Sequence, residues 1–110
     1  MKHIVCIAAT LAIAASASAA DRLTDLRRQI DSLDNKLIEV LAKRMEVCRE
    51  VGQYKKQKGM AVVQSDRFNE ILEKRSRQGA DSGLGSDFVK QMMTLIHDES
   101  VRQQNELTGK

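Results

Sequence analysis

Four polar side chains stand where helical apolar stripes ought to continue. Arg44 falls between Leu41 and Cys48, at a position where another leucine would be expected, and Lys55 follows Val51 on the same face. The two lie eleven residues apart, close to three whole turns at about 3.6 residues per turn. Farther along, Ser100 and Gln104 extend the line of Met93 and Ile96 at steps of three and four residues. Two cations and two neutral hydrogen-bonding groups thus point toward a helical interior. A buried cation is costly unless it is paired, and these stripes supply no carboxylates for both. A small anionic ligand would satisfy them. The plainer alternative has Arg44 and Lys55 at bundle edges with their heads in water, the commoner fate of any one such residue. It weakens for four residues on two helices.

Arg27 adds a geometric constraint. It lies about 25 Å from Arg44 along a helix and about a quarter turn around it, so one ligand cannot touch both within one chain. In an antiparallel dimer of long helices, Arg27 of one chain reaches the Arg44 and Lys55 end of the other, which makes two equivalent sites. Other chemistries find little support. Cys48 sits on the apolar stripe with no histidine placed to activate it, and reads as a small core residue. His97 reads as a packing residue, since no second histidine or paired cysteine could complete a metal site. Gly83-Leu84-Gly85 is too short and in the wrong context for a phosphate loop. Basic residues without interleaved aromatics do not suggest nucleic acid.

The elements that would position these residues are helices. Residues 1–20 are set aside first: Lys2 and His3, the apolar run from Ile4 to Ala14, and the small-residue end from Ala15 to Ala20 have the three parts of a secretory signal peptide. That run is too short to span a bilayer, which takes about 20 apolar residues, so the product, residues 21–110, is expected to be exported, periplasmic and off the membrane. Without Lys2 the chain keeps 17 basic and 15 acidic side chains, a formal balance of +2 spread along its length that implies no polyanionic partner. Cys6 leaves with the signal, and Cys48 alone can make no internal disulfide.

The remainder contains no proline, and between Asp21 and Lys58 its only glycine is Gly52. The stripe Leu23, Leu26, Ile30, Leu33, Leu37, Leu41, Cys48, Val51 predicts a very long first helix, about 50 Å from Thr24 to Lys56, ending near Gln57-Lys58-Gly59. A link from Met60 to Gln64 precedes a second helix, starting at Ser65-Asp66, carrying Phe68, Ile71 and Leu72 inward and stopping at Gly79. After a loop, Ala80 to Gly85, Ser86 caps a third helix with the stripe Val89, Met92, Met93, Ile96. One Tyr, two Phe and no Trp make a thin core for a monomer of this size. A second subunit is the expected remedy.

Three stretches carry a resemblance: Leu26-Arg27-Arg28-Gln29-Ile30-Asp31-Ser32-Leu33-Asp34-Asn35-Lys36-Leu37, then Leu41-Ala42-Lys43-Arg44, then Val51-Gly52-Gln53-Tyr54-Lys55. In order and spacing they resemble the long first helix of the all-α chorismate mutases. Ile96-His97-Asp98-Glu99-Ser100-Val101-Arg102-Gln103-Gln104 resembles that family's closing motif, and the likeness runs without a gap from about Leu23 to Leu107. It implies an all-α fold of three helices in an intertwined antiparallel homodimer. The pocket would be lined by Arg44, Lys55, Arg67, Ser100 and Gln104 and completed by Arg27 of the partner chain. The implied reaction, chorismate to prephenate in the shikimate pathway, is a unimolecular rearrangement that needs no nucleophile, proton carrier, metal or cofactor. By the same resemblance Arg27, Arg44 and Arg67 hold the two carboxylates, Lys55 and Gln104 donate to the ether oxygen, and Ser100 assists at the ring carboxylate.

Two positions depart from the family. Many members carry a glutamate immediately after the arginine matched by Arg67, where it contacts the ring hydroxyl, and an acidic residue four positions earlier. Here these are Phe68 and, among the substrate-binding positions, Gln64. Phe68 cannot accept that hydrogen bond. Relatives that cleave isochorismate to salicylate and pyruvate also lack the glutamate, which makes that lyase reaction one alternative; a non-catalytic exported helical binding module is another. Against the lyase, Val62-Val63-Gln64-Ser65-Asp66-Arg67-Phe68 is similar to mutase domains fused to the first enzyme of the shikimate pathway. Against the module, an adaptor would gain from leucine at 44 and 104. Amino-terminal sequencing of exported protein is expected to begin at Ala20 or Asp21; a start at Met1 would refute the signal peptide.

Overall fold

The computed structural model describes the backbone of residues 2–108 and the side chains of residues 18–107. Three helices follow one another: α1 (Lys2–Lys58), α2 (Ser65–Asp81) and α3 (Ser86–Thr108). Among the described residues there is no strand. The all-α expectation and the three-helix order therefore hold. The first helix begins far ahead of Thr24, because nothing in the alanine-rich stretch before it breaks a helix: there is no proline and no glycine ahead of Gly52. The expected signal peptide falls mostly on residues 1–17, whose side chains lie outside the described part. No described helix is long and apolar enough to cross a membrane.

The chain divides into two compact units, Met1–Leu41 and Ala42–Lys110. In the first, every described side chain from 18 to 40 is exposed, the leucines and isoleucine of the predicted stripe included: Leu26 keeps 39% of its surface in solvent and Leu33 62%. An amphipathic helix with its apolar face uncovered gains no stability from packing that face.

The second unit joins the last turns of α1 to α2 and α3. Its two helix ends inside the chain close in the same way. Gly59, at φ +65°, lets Met60 N donate to Lys55 O at 2.8 Å and Gly59 N to Lys56 O at 3.3 Å. Gly83, at φ +83°, lets Leu84 N donate to Gly79 O at 2.8 Å. Both are left-handed glycine terminations that satisfy carbonyls the helix leaves open. The second terminator is Gly83 and not Gly79, so α2 runs two residues past its expected end. Gly79 is instead a contact point: a Cβ there would meet Val89 Cγ2 at 2.5 Å, and this absence of a side chain lets α2 close on α3. Gly85, not Ser86, holds the capping position of α3: its carbonyl accepts from Val89 N at 3.0 Å, and Ser86 is the first helical residue.

The buried apolar side chains are few, Met45, Val89 and Met93, and they are matched by buried Ser76, Ser100 and Gln104. Ser76 turns its hydroxyl back to Glu73 O at 3.0 Å. Along the exposed face of α3, Arg102 bonds Glu99 through two nitrogens, at 2.6 and 2.9 Å, and Glu106 through a third. The hydrogen bonds from Arg102, and then from Gln103, hold the Glu99 carboxyl at about 2, well under its ordinary 4.5. A depressed acid stabilises the folded form above its unfolded value and loses that contribution as pH falls through its folded one. Accordingly, a carboxyl-carbon NMR titration should place the Glu99 midpoint near 2, with α3 losing this support between 4.5 and 2. A midpoint near 4.5 would show that solvent and salt screen the pair away.

Candidate functional site

Where α1, α2 and α3 meet in the second unit, a cavity of about 330 Å³ opens, at the small end of the range for ligand pockets. Its walls come from every segment of the unit: Cys48, Val51 and Lys55 of α1, Val62 and Gln64 of the link, Arg67 and Phe68 of α2, and His97, Ser100, Val101 and Gln104 of α3. Five of the seven residues picked out in the sequence line it together: Lys55, Gln64, Arg67, Ser100 and Gln104. Arg44 does not. It is half-buried one turn earlier on α1, with Nη1 donating to the Cys48 sulfur at 3.6 Å, and Cys48 is part of the cavity wall. Arg27 is exposed and belongs to the other unit.

Each polar group is held by local structure. The Lys55 carbonyl takes part in the glycine termination of α1, and its ammonium donates to Val62 O at 2.7 Å, so this one residue ties down the start and the middle of the link. An ammonium has three hydrogens, which leaves two for a ligand. Gln64 stands at the N-cap of α2 with extended backbone, φ −125° and ψ 97°, and makes no side-chain cap; its carbonyl receives Phe68 N at 3.1 Å. Arg67 is exposed at the rim and has no ion pair among the described residues.

Gln104 is the most enclosed polar residue, with 5% of its surface exposed. Its Nε2 donates to the Ser100 hydroxyl oxygen at 3.2 Å. The second hydrogen on that nitrogen remains for a ligand, and Oε1 is buried without a hydrogen-bond partner. A leucine at this place would avoid an orphaned acceptor that costs about 1–3 kcal/mol. Cost of that kind marks a side chain kept for what it does. Also in the lining, Phe68 of α2 and His97 of α3 stack, ring centroids 3.9 Å apart and planes inclined by 21°. His97 is therefore a packing residue, and at the same time part of the site.

The cavity holds two cationic side chains, Lys55 and Arg67, and no carboxylate. It is suited to a small anion carrying further polar atoms, held by charge and by amide and hydroxyl donors. Among the described residues no group of His, Cys, Asp and Glu is arranged to hold a metal ion.

Sequence reasoning missed three contributors. The Val62 carbonyl turns back onto Lys55 across the link, and the Phe68–His97 stack joins segments far apart in the chain. Gly52 is the third: buried on α1, it faces Gln104 so closely that a Cβ would lie 2.8 Å from Gln104 Cγ and 3.2 Å from its Cβ. A glycine inside a helix costs about 1 kcal/mol against alanine, and the lone glycine of a long helix was the available clue.

A family described as chorismate mutase type II matches residues 26–105. The chain is 33% identical over 86 residues to the T-protein of Haemophilus influenzae, a match that covers 78% of this chain and 23% of that protein. It is 34% identical over 85 residues to the bifunctional chorismate mutase/prephenate dehydratase of Escherichia coli K12, covering 77% and 22%. With the 4-amino-4-deoxychorismate mutase of Streptomyces pristinaespiralis it shares 28% over 90 residues, 82% of this chain and 70% of that one. The chain thus spans about a quarter of the length of the first two relatives. Whatever the ligand, Gly52→Ala should destabilise the fold by up to about 2 kcal/mol, the cost of about 1–3 kcal/mol for pushing Gln104 aside less the about 1 kcal/mol that alanine gains within a helix. Urea denaturation measures this, and the Gln104 side-chain amide should shift in a 15N NMR spectrum; an unmoved amide would show that the wall yields elsewhere.

Proposed function

Since the chain belongs to the type II chorismate mutase family, we propose that its cavity converts chorismate to prephenate. The observation that carries this reading is the lining itself: two cations, a buried amide bonded to a hydroxyl, and no acid. The substrate is a dianion, and its rearrangement is intramolecular. The ether bond to the ring breaks as a carbon–carbon bond forms, and no group has to leave or be supplied. What the protein contributes is a folded substrate conformation and donors aimed at the ether oxygen as charge develops there.

In this reading Lys55 and Gln104 are those donors. The two free hydrogens of Lys55 Nζ, on α1, and the one of Gln104 Nε2, on α3, are available in the one cavity. Arg67 and Arg44 hold carboxylates, Arg44 turning from Cys48 into the adjoining space, while Ser100 and Gln64 complete the binding polar groups. No group in this scheme must exchange a proton with the substrate, in keeping with a site built from lysine, arginine, amide and hydroxyl.

The reading also takes the protein to be a homodimer in which Arg27 of one chain completes the site of the other. Supporting it is the uncovered apolar stripe of the first unit, Leu23 to Leu37, on the same helix segment as Arg27. A second copy of that stripe is the natural cover. Export with cleavage after Ala19 or Ala20 rests on the sequence of residues 1–20 and is retained as part of the proposal.

One experiment tests site and dimer together. Wild-type protein should turn chorismate into prephenate, followed by chromatography. Lys55→Ala and Arg27→Ala should each lower kcat by at least about 100-fold. Mixed and allowed to exchange subunits, the two variants should recover up to about a quarter of the wild-type rate, because half of the dimers are hybrids and each hybrid regains one intact site. Inactive wild-type protein would sink the function, whereas active protein without recovery on mixing would sink only the shared site.

A further inference from the structure

The Phe68–His97 wall distinguishes two substrates that the family's members are named for. The two differ in one group, a ring hydroxyl in chorismate and an amine in 4-amino-4-deoxychorismate. Resting on the reading above, we propose that this cavity selects the hydroxyl-bearing substrate and rejects the amino one, with His97 as the residue that contacts the ring substituent.

Charge comes first. An aliphatic amine is protonated near neutral pH, as a lysine is, with an ordinary pKa of about 10. Entering this cavity, such an ammonium would share the space with Lys55 and Arg67 and meet no carboxylate. A cation brought out of water without a partner is strongly disfavoured. The acids nearest in sequence offer no relief. On α2, Asp66 and Glu70 are exposed and line a different groove. On α3, Asp98 is exposed, and Glu99 is already bonded by Arg102 and Gln103.

Hydrogen bonding comes second. Arg67 suits a carboxylate, and Lys55 and Gln104 serve the ether oxygen with Ser100 bonded to Gln104, which leaves a neutral ring hydroxyl to find its partner elsewhere. His97 is half-buried, lines the cavity, and makes no hydrogen bond to any described residue. Phe68 covers one face of its ring. The stack thus fixes the plane of the imidazole, so that its edge nitrogens are what it offers. A neutral imidazole has one donor and one acceptor, which complement a hydroxyl, and a protonated one has two donors. In neither state does it carry a negative charge. His97 is accordingly a specificity-determining residue, and Phe68 is the positioning residue behind it.

The test is a set of kcat/KM ratios for the two substrates, measured on the full chain. Wild-type protein should favour chorismate by about 100-fold. Phe68→Leu removes the ring stacked on His97 without adding a charge, and should lower the preference for chorismate by about threefold to tenfold. His97→Leu should lower the preference for chorismate by about tenfold, and His97→Asn, which keeps a donor and an acceptor, should restore most of it. Circular dichroism establishes that each variant is folded, and the wild-type ratio stands without any of them. Equal use of both substrates by wild-type protein, or an unchanged ratio in folded His97→Leu, would overturn the inference and leave the mutase reading intact. Failure to turn over either substrate would overturn both.

Discussion

At Gly52 the α1 backbone comes so near α3 that one added carbon would stand 2.8 Å from Gln104 Cγ. That approach packs Gln104, whose amide bonds its own helix neighbour Ser100, directly against the α1 backbone. Around it the helices are tied by longer reaches: Arg49 to the Gln103 side chain at 2.7 Å, and Lys56 to the Leu107 carbonyl at 3.2 Å. A bulkier residue at 52 would wedge α1 from α3 and carry Lys55, almost one turn farther on, away from Ser100 and Gln104. The glycine weakens the helix locally and is retained because the site needs the two backbones together.

Two further consequences follow from the same economy. The second unit buries as many polar side chains as large apolar ones, so little of its interior is free to serve stability alone. The cavity, in turn, concentrates positive charge without an acid to neutralise it, and Glu99 and Glu106 of α3 are engaged on the outer face by Arg102. Charge separation of this kind attracts a small dianion and repels a second cation. Stability is given up to function in this unit.

The apolar stripe of the first unit is likewise short of packing. A helix whose leucines are one-third to two-thirds exposed along several turns is not stabilised by its own side-chain packing. The helix and its pattern are properties of the chain; its cover is proposed to be a second copy.

How much of this was legible in the sequence can be told residue by residue. The all-helical class, the end of α1 at Gly59, the start of α2 at Ser65 and the inward polar positions Lys55, Ser100 and Gln104 follow from period and local chemistry, which act over three to five residues. Arg67 and Gln64 came from family likeness, because an exposed arginine and a capping glutamine look like solvated surface until another segment arrives beside them. The packing role of His97 was readable, but its place in the cavity wall was not: only tertiary structure sets a ring of α3 on a ring of α2. The same holds for Val62, whose carbonyl meets Lys55 across the link, and for Gly79, which reads as a terminator and serves as a contact. Local spacing determines which residues share a helix face; which faces meet, and how near, is decided by packing between segments that the sequence keeps apart.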